Sequence, residues 1–214
     1  RFLEELRENN NREWFNANKE WYLAVKAEHE AFINRLIPAL AKVDPEVDGL
    51  TAKDCIFRIY RDVRFSPNKE PYKTHIGAYM VKGGKKSPRS GYYVHVEPGN
   101  SLLAGGIWCP EPSLLKALRK DVYDNIDEFT GIIRDKEFQK YYALDGEKLK
   151  TVPAPFPKDF PEGELLKYKS YTIENKVPDS FFEGEDAIER IVKRLLVMQP
   201  FHRFLNYTVE ETWK

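Results

Sequence analysis

Residues 74–108 read THIGAYMVKGGKKSPRSGYYVHVEPGNSLLAGGIW. Two links punctuate this run: the polar Gly83-Gly84-Lys85-Lys86-Ser87-Pro88 and the tight Pro98-Gly99-Asn100. Both are built from the residues that turns require. The segments they separate, 74–82, 91–97 and 101–108, are rich in Tyr, Val, Ile and Leu and read as strands. A parallel pair needs a crossover of a dozen or more residues, so strands joined this closely are antiparallel. The middle of the chain is therefore predicted to be a meander.

Side chains alternate along a strand, which sorts these residues onto two faces. Ile76, Ala78 and Met80 share one face with Tyr92, Val94 and Val96, the core side. His75, Gly77 and Tyr79 share the other with Tyr93, His95 and Glu97, a polar side rich in Tyr and His. Where Arg58 and Tyr60 fall depends on register, which alternation alone does not set. Gly105-Gly106, inside the third strand, predicts a bulge or the close approach of another backbone or a ligand.

Outward from the meander, residues 55–60 read as a preceding strand and 168–177 as a fifth. Near the start, Phe2, Leu3 and Leu6 make 2–8 a short amphipathic helix. Asn10 followed by Glu13 marks the start of a long helix. Its apolar face carries Trp14, Phe15, Trp21, Tyr22, Val25, Phe32, Ile33, Leu36 and Leu40. Pro38 kinks or shortens it, and Asp44-Pro45 ends it. His29, beside that face, reads as a packed imidazole. Downstream, Pro112 opens a helix through Leu114, Leu115, Leu118, Val122 and Ile126, and another runs to about residue 134. Pro153, Pro155, Pro157 and Pro161 predict a wrapped loop over 146–163. A helical turn at 165–167 and a helix over 186–198 follow; Gln199-Pro200-Phe201 breaks that helix, and 201–207 forms an apolar cap.

The chain has 214 residues, 42% of them hydrophobic and 14% aromatic, which suits a globular core and argues against disorder. No apolar run reaches the roughly 18–20 residues of a membrane helix, and no secretory leader is read at the start. Cys55 and Cys109 lie in no metal-binding or redox spacing and are read as reduced thiols of a cytoplasmic protein.

Net charge is zero but segregated. Residues 1–57 carry 8 Lys/Arg and 11 Asp/Glu; residues 58–89 carry 9 and 2; residues 90–214 carry 17 and 21. A cationic insert in an acidic frame suits a small anion or an acidic partner. It suits nucleic acid less, because nucleic-acid binders usually have a basic overall balance. The insert concentrates Arg58, Arg61, Arg64, Lys69 and Lys73 around Asp62 and Glu70. Arg forks match phosphate or carboxylate oxygens two at a time, and Lys adds a point charge. These five, with Tyr72 as a wall and His75 and Tyr93 from the polar face, are the candidate anion-binding residues. The bland reading stands beside it: the arginines pair with nearby acids and lock the loop. His95 and Glu97 stand about 7 Å apart along one strand face. They are the candidate acid/base pair, with His75 as a third ligand in a metal reading. No HExxH, DxD or Cys/His cluster supports that reading, so no metal is expected, and no cofactor is assigned. Phosphate-loop, dinucleotide and nucleophile-elbow motifs are absent.

The run RIYRDVRFSPNKEPYK at 58–73, continued by THIGA, resembles the signature of domain of unknown function 2461, a family without an assigned activity. So do NNNREWF at 9–15, GYYVHVEPG at 91–99, GGIWCP at 105–110 and PFHRFLN at 200–206. The resemblance implies one α+β domain from end to end and transfers no catalytic residue.

The expectation is thus a single α+β domain over 1–214. A mainly antiparallel sheet of about five strands is packed by the long N-terminal helix and by helices of the second half. Its function is read as binding, with or without turnover, of a small phosphate- or carboxylate-bearing ligand. Two alternatives stand: an interaction module that docks an acidic protein or nucleic acid through 58–89, and a purely structural arginine motif.

Overall fold

The computed structural model describes residues 1–212. Its elements, in order, are α1 (Phe2–Glu8), α2 (Arg12–Ala17), α3 (Lys19–Ala41), α4 (Ala52–Cys55), β1 (Ile76–Met80), β2 (Gly91–Val96) and β3 (Leu102–Ile107). There follow α5 (Pro112–Asp124), α6 (Ile126–Ile133), α7 (Lys136–Tyr141), β4 (Ala143–Asp145), α8 (Gly163–Leu166), β5 (Tyr171–Lys176), α9 (Ala187–Leu196) and α10 (Gln199–Thr212). The strands form one open antiparallel sheet in the order β1-β2-β3-β5-β4, so the fold class is α+β and the predicted meander is its first half. No helix among the described residues is long and apolar enough to cross a membrane.

Two compact units divide the chain. The first comprises Arg1–Lys85, Tyr93–Leu103 and Lys176–Lys193. The expected long helix is two helices here, broken at Asn18. The start is capped by Asn11, whose side chain accepts from Trp14 N at 2.9 Å, one residue beyond the predicted cap. Asn10 does something else. Its amide donates to Tyr72 O at 3.0 Å and its carbonyl accepts from Tyr72 N at 3.1 Å, as a neighbouring strand would. Pro38 removes one donor from α3 without ending it, and the helix runs on to Ala41. Phe2, Leu3, Leu6, Phe15, Tyr22, Ile59 and Tyr72 form a buried cluster, with Trp14, Trp21, Val25 and Ile76 packed on it.

Residues 55–60 are not the strand the sequence predicts. Cys55 ends α4, and only two isolated antiparallel bridges follow, Ile56 to Ala78 and Tyr60 to Tyr72. The segment changes partner part way: it meets β1 first, then the chain returning from the cationic loop. Arg61 N donates to Pro71 O and Lys73 N to Ile59 O, so the loop is closed at its neck.

The second unit comprises Lys86–Tyr92, Ala104–Asn175 and the chain from Arg194 on. Helix α10 packs on α5 and α6. It begins where the sequence predicts a break and includes the expected apolar cap at 201–207, which is helical because Phe201, Phe204, Leu205, Thr208 and Val209 fall at helical spacing and are buried. Pro200 sits in its first turn, where a missing N–H costs nothing. Short β4, unforeseen in the sequence, pairs antiparallel with β5, Leu144 opposite Ile173. The Gly105-Gly106 reading is borne out. A Cβ on Gly106 would stand 2.1 Å from Tyr171 O, and one on Gly105 would stand 2.5 Å from His202 Cε1. Ser90, His202 and Asn206 form a buried knot: Asn206 accepts from Ser90 N and donates to Ser90 O, and Ser90 Oγ lies 2.6 Å from His202 Nδ1.

Candidate functional site

Alternation along β1 and β2 delivers the polar face as the sequence predicts. The His75 ring, just ahead of β1, stacks on His95 of β2 with centroids 4.3 Å apart. Tyr93 Oη lies 2.9 Å from His95 Nδ1, and His95 Nε2 lies 3.3 Å from Glu97 Oε2. Gly77 makes room for the phenol, since a Cβ there would stand 2.5 Å from Tyr93 Oη. Two residues that the sequence reading placed in a strand start and a turn, not at the site, hold Glu97. Thr74 Oγ1 donates to its Oε1 at 2.9 Å, and Asn100 Nδ2 donates to its Oε2 at 2.7 Å. Asn100 follows Glu97 by three residues across a tight turn, a spacing that could have revealed it.

Burial sets the protonation of this cluster. It lowers His75 to about 4, helped by the neighbouring His95, so the imidazole is neutral at pH 7. It pushes Tyr93 up to about 12, with the Glu97 charge adding to the effect. Burial also works against the Glu97 carboxylate, but hydrogen bonds from Asn100, Thr74 and His95 outweigh it and hold the group below the usual range. The arrangement is a carboxylate, two imidazoles and a protonated phenol, held by neighbours and partly open to solvent.

The cationic loop is arranged differently. Arg64 grips Asp62 with two bonds, 2.9 and 2.7 Å, and holds that carboxyl down at about 2. Arg61 reaches Ser66, Glu70 O and, at 3.7 Å, the Glu70 carboxylate. Lys69 donates to Val63 O. These three cations serve the loop itself. Tyr72 does not wall a site: it is 4% exposed and stacks on Phe15 at 3.9 Å. Lys73 lies over the Phe57 ring, and burial, then the neighbouring Arg58, lowers its pKa.

Arg58 stands apart. Among the described residues no carboxylate lies within salt-bridge distance of it, and it lines a groove of about 350 Å³. Lys26, Lys53, Tyr60, His29 and Glu30 line the same groove. Glu30, the one acid there, pairs with Lys26 at 3.4 Å. His29 Nε2 is buried without a partner while its ring bonds the Gly77 carbonyl, and burial lowers its pKa to about 4. Lys26, His29 and Glu30 lie on one helical face by their spacing, a signal visible in the sequence. Of the predicted anion-binding residues, the structure thus puts Arg58 in the groove, His75 and Tyr93 in the imidazole cluster, and Arg61, Arg64 and Lys69 in a self-paired loop.

An open antiparallel sheet with helices, a held His/Tyr/Glu cluster and, separately, a cationic groove define an α+β protein with two polar features on its first compact unit. The chain belongs to the conserved hypothetical protein family DUF2461, whose family model matches residues 1–204. No curated protein and no solved structure matches it.

Proposed function

We propose that this protein binds a small anionic molecule, bearing a phosphate or carboxylate, in the groove between α3 and the 56–60 segment. The observation that carries the reading is the unpaired Arg58 guanidinium lining that groove with Lys26 and Lys53, against one acid already held by a lysine. A guanidinium left without a carboxylate is a ready fork for two oxygens of a ligand. His29 lines the same groove, with its Nε2 buried and without a partner. Tyr60, which accepts from Lys19 Nζ at 3.0 Å, places an aromatic wall beside the cations. The site operates in the cytoplasm, where an exposed Cys109 thiol and a buried Cys55 stay reduced.

Thermal stability against a panel of phosphates, carboxylates, nucleotides and short oligonucleotides, at two salt concentrations, tests this. A ligand at a hundred times its Kd adds about 2.7 kcal/mol. The expected result is a salt-tolerant shift from one small anion that disappears in Arg58→Ala. No shift from any small anion, or an equal shift in Arg58→Ala, overturns the proposal. A response confined to oligonucleotides and falling steeply with salt replaces it with the interaction-module reading.

A further inference from the structure

His75, His95 and Glu97 each offer one ligand atom, and these three atoms lie within 4.8 Å of one another. The 3.3 Å between His95 Nε2 and Glu97 Oε2 is the spacing of two ligands on one ion. Donors about 2.1 Å from a metal stand roughly 3.0–3.4 Å apart in octahedral or tetrahedral sites. A small rotation of His75, the more open imidazole, brings in the third donor.

We propose that His75, His95 and Glu97 bind a divalent transition-metal ion, leaving further coordination positions to water or substrate. Two imidazoles and one carboxylate suit zinc or iron(II), whereas calcium and magnesium prefer all-oxygen shells.

The surroundings of the triad are those of a ligand set. Metal-binding histidines usually donate the second ring N–H to an oxygen, which fixes the tautomer. Tyr93 Oη stands in that place, 2.9 Å from His95 Nδ1. With a metal on Nε2, the Nδ1 proton is donated to Tyr93; without it, the proton sits on Nε2 towards Glu97 and the phenol donates to Nδ1. Metal binding therefore moves the single ring proton of the neutral His95 from Nε2 to Nδ1 and reverses the hydrogen bond to Tyr93, with no net proton released by His95. Thr74 and Asn100 orient the two carboxylate oxygens. A bare hydrogen-bond network would account for His95 and Glu97 but not for His75. That ring stacks on His95 and, among the described residues, makes no hydrogen bond of its own.

The test uses the whole chain, stripped with a chelator and titrated with Zn²⁺ by calorimetry. Co²⁺ loading then reports the ligand field through its visible absorption. His75→Ala, Glu97→Gln, Tyr93→Phe and the control Arg64→Ala, in the self-paired loop, accompany the wild type, each checked for folding by circular dichroism. The expected result is one Zn²⁺ per chain in wild type and control. Tyr93→Phe weakens binding by about ten- to a hundredfold, and His75→Ala and Glu97→Gln abolish one-to-one binding and the cobalt spectrum. Absence of one-to-one binding in the wild type overturns the proposal. So does binding of unchanged affinity in whichever of His75→Ala and Glu97→Gln folds. Arg58 takes no part, so failure here leaves the anion groove standing, and the reverse also holds.

Discussion

A single methyl group separates two outcomes at glycine positions of this chain. Gly106 has φ +116°, a backbone region that side-chain-bearing residues rarely enter, and its missing Cβ would overlap Tyr171 O at 2.1 Å. The obstacle is backbone held in a sheet, so it cannot swing aside. Gly106→Ala is expected to lose more than about 4 kcal/mol in urea denaturation or to fail to fold. Gly131, inside α6, meets nothing within 4 Å. Gly131→Ala should be neutral or stabilising by up to about 1 kcal/mol, because alanine restricts the unfolded chain more than glycine does. A large loss in both would mean the helix face of Gly131 is not open. The difference between these sites was half legible in the sequence: two adjacent glycines in a strand announce a close approach. They do not say whose backbone approaches, since that depends on a strand more than sixty residues away. The polar cluster divides the same way. Period-two alternation suffices to put His75, Tyr93, His95 and Glu97 on one face. Thr74 and Asn100 escaped it because one precedes a strand and the other sits in a turn, where alternation has no authority. Tyr72 misled for the same reason: it lies between the loop and β1, and its ring was free to turn onto Phe15.

Segments 55–61 and 71–73 show how pairing can change along a short element. The apolar character of Ile56 and Ile59 is real and both rings of bonds are made, but with two different partners, so no ladder forms. A side chain reinforces the neck that those backbone bonds close. Asn10 satisfies both backbone groups of the buried Tyr72, a role that sequence pattern cannot display because it joins positions sixty-two residues apart. Asn10→Ala removes both partners at once and is expected to cost about 2 kcal/mol. Asn11→Ala, which removes only the α2 cap, should cost about 1 kcal/mol. Equal losses in the two variants, measured by denaturant titration, would contradict this account. Within the loop the ion pairs are exposed: Arg64 and Asp62 retain 76% and 48% of their side-chain area. Arg64→Ala should therefore leave stability nearly unchanged. It should also leave anion binding intact, while Arg58→Ala abolishes the binding and spares stability. Clustered cations in a sequence look alike; only the fold separates Arg61 and Arg64, each with an acid beside it, from Arg58, which has none within salt-bridge distance among the described residues.

Across the whole molecule, charge balance hides a buried titratable group to which stability responds as pH falls below neutral. The 34 acids and 34 bases cancel, and most of the visible ion pairs are exposed and worth little. His29 is different: it is 6% exposed, and its pKa falls to about 4 from an ordinary 6.5. Burial is the main cause; the bond to Gly77 and the Glu30 charge oppose it, and Lys26, Lys53 and Arg58 line the groove beside it. Because the folded pKa lies below the unfolded one, the unfolded chain binds the proton more readily between pH 6.5 and 4. The neutral ring's contribution is complete above 6.5 and is lost as pH falls towards 4. Each pKa unit is worth about 1.36 kcal/mol, so moving from pH 7.5 to 5 should remove about 2 kcal/mol through this residue alone. His29→Asn keeps an amide able to donate to Gly77 and has nothing to titrate in this range. Urea unfolding of wild type and variant at both pH values isolates the effect. The wild type should lose about 2 kcal/mol more than the variant, and parallel losses would show that His29 is hydrated and charges freely. A phosphate-bearing ligand bound beside Arg58 would favour the imidazolium and raise its pKa. The same pair of titrations, repeated with ligand, should then show the difference shrink, which ties the stability of this protein to the occupancy of its groove.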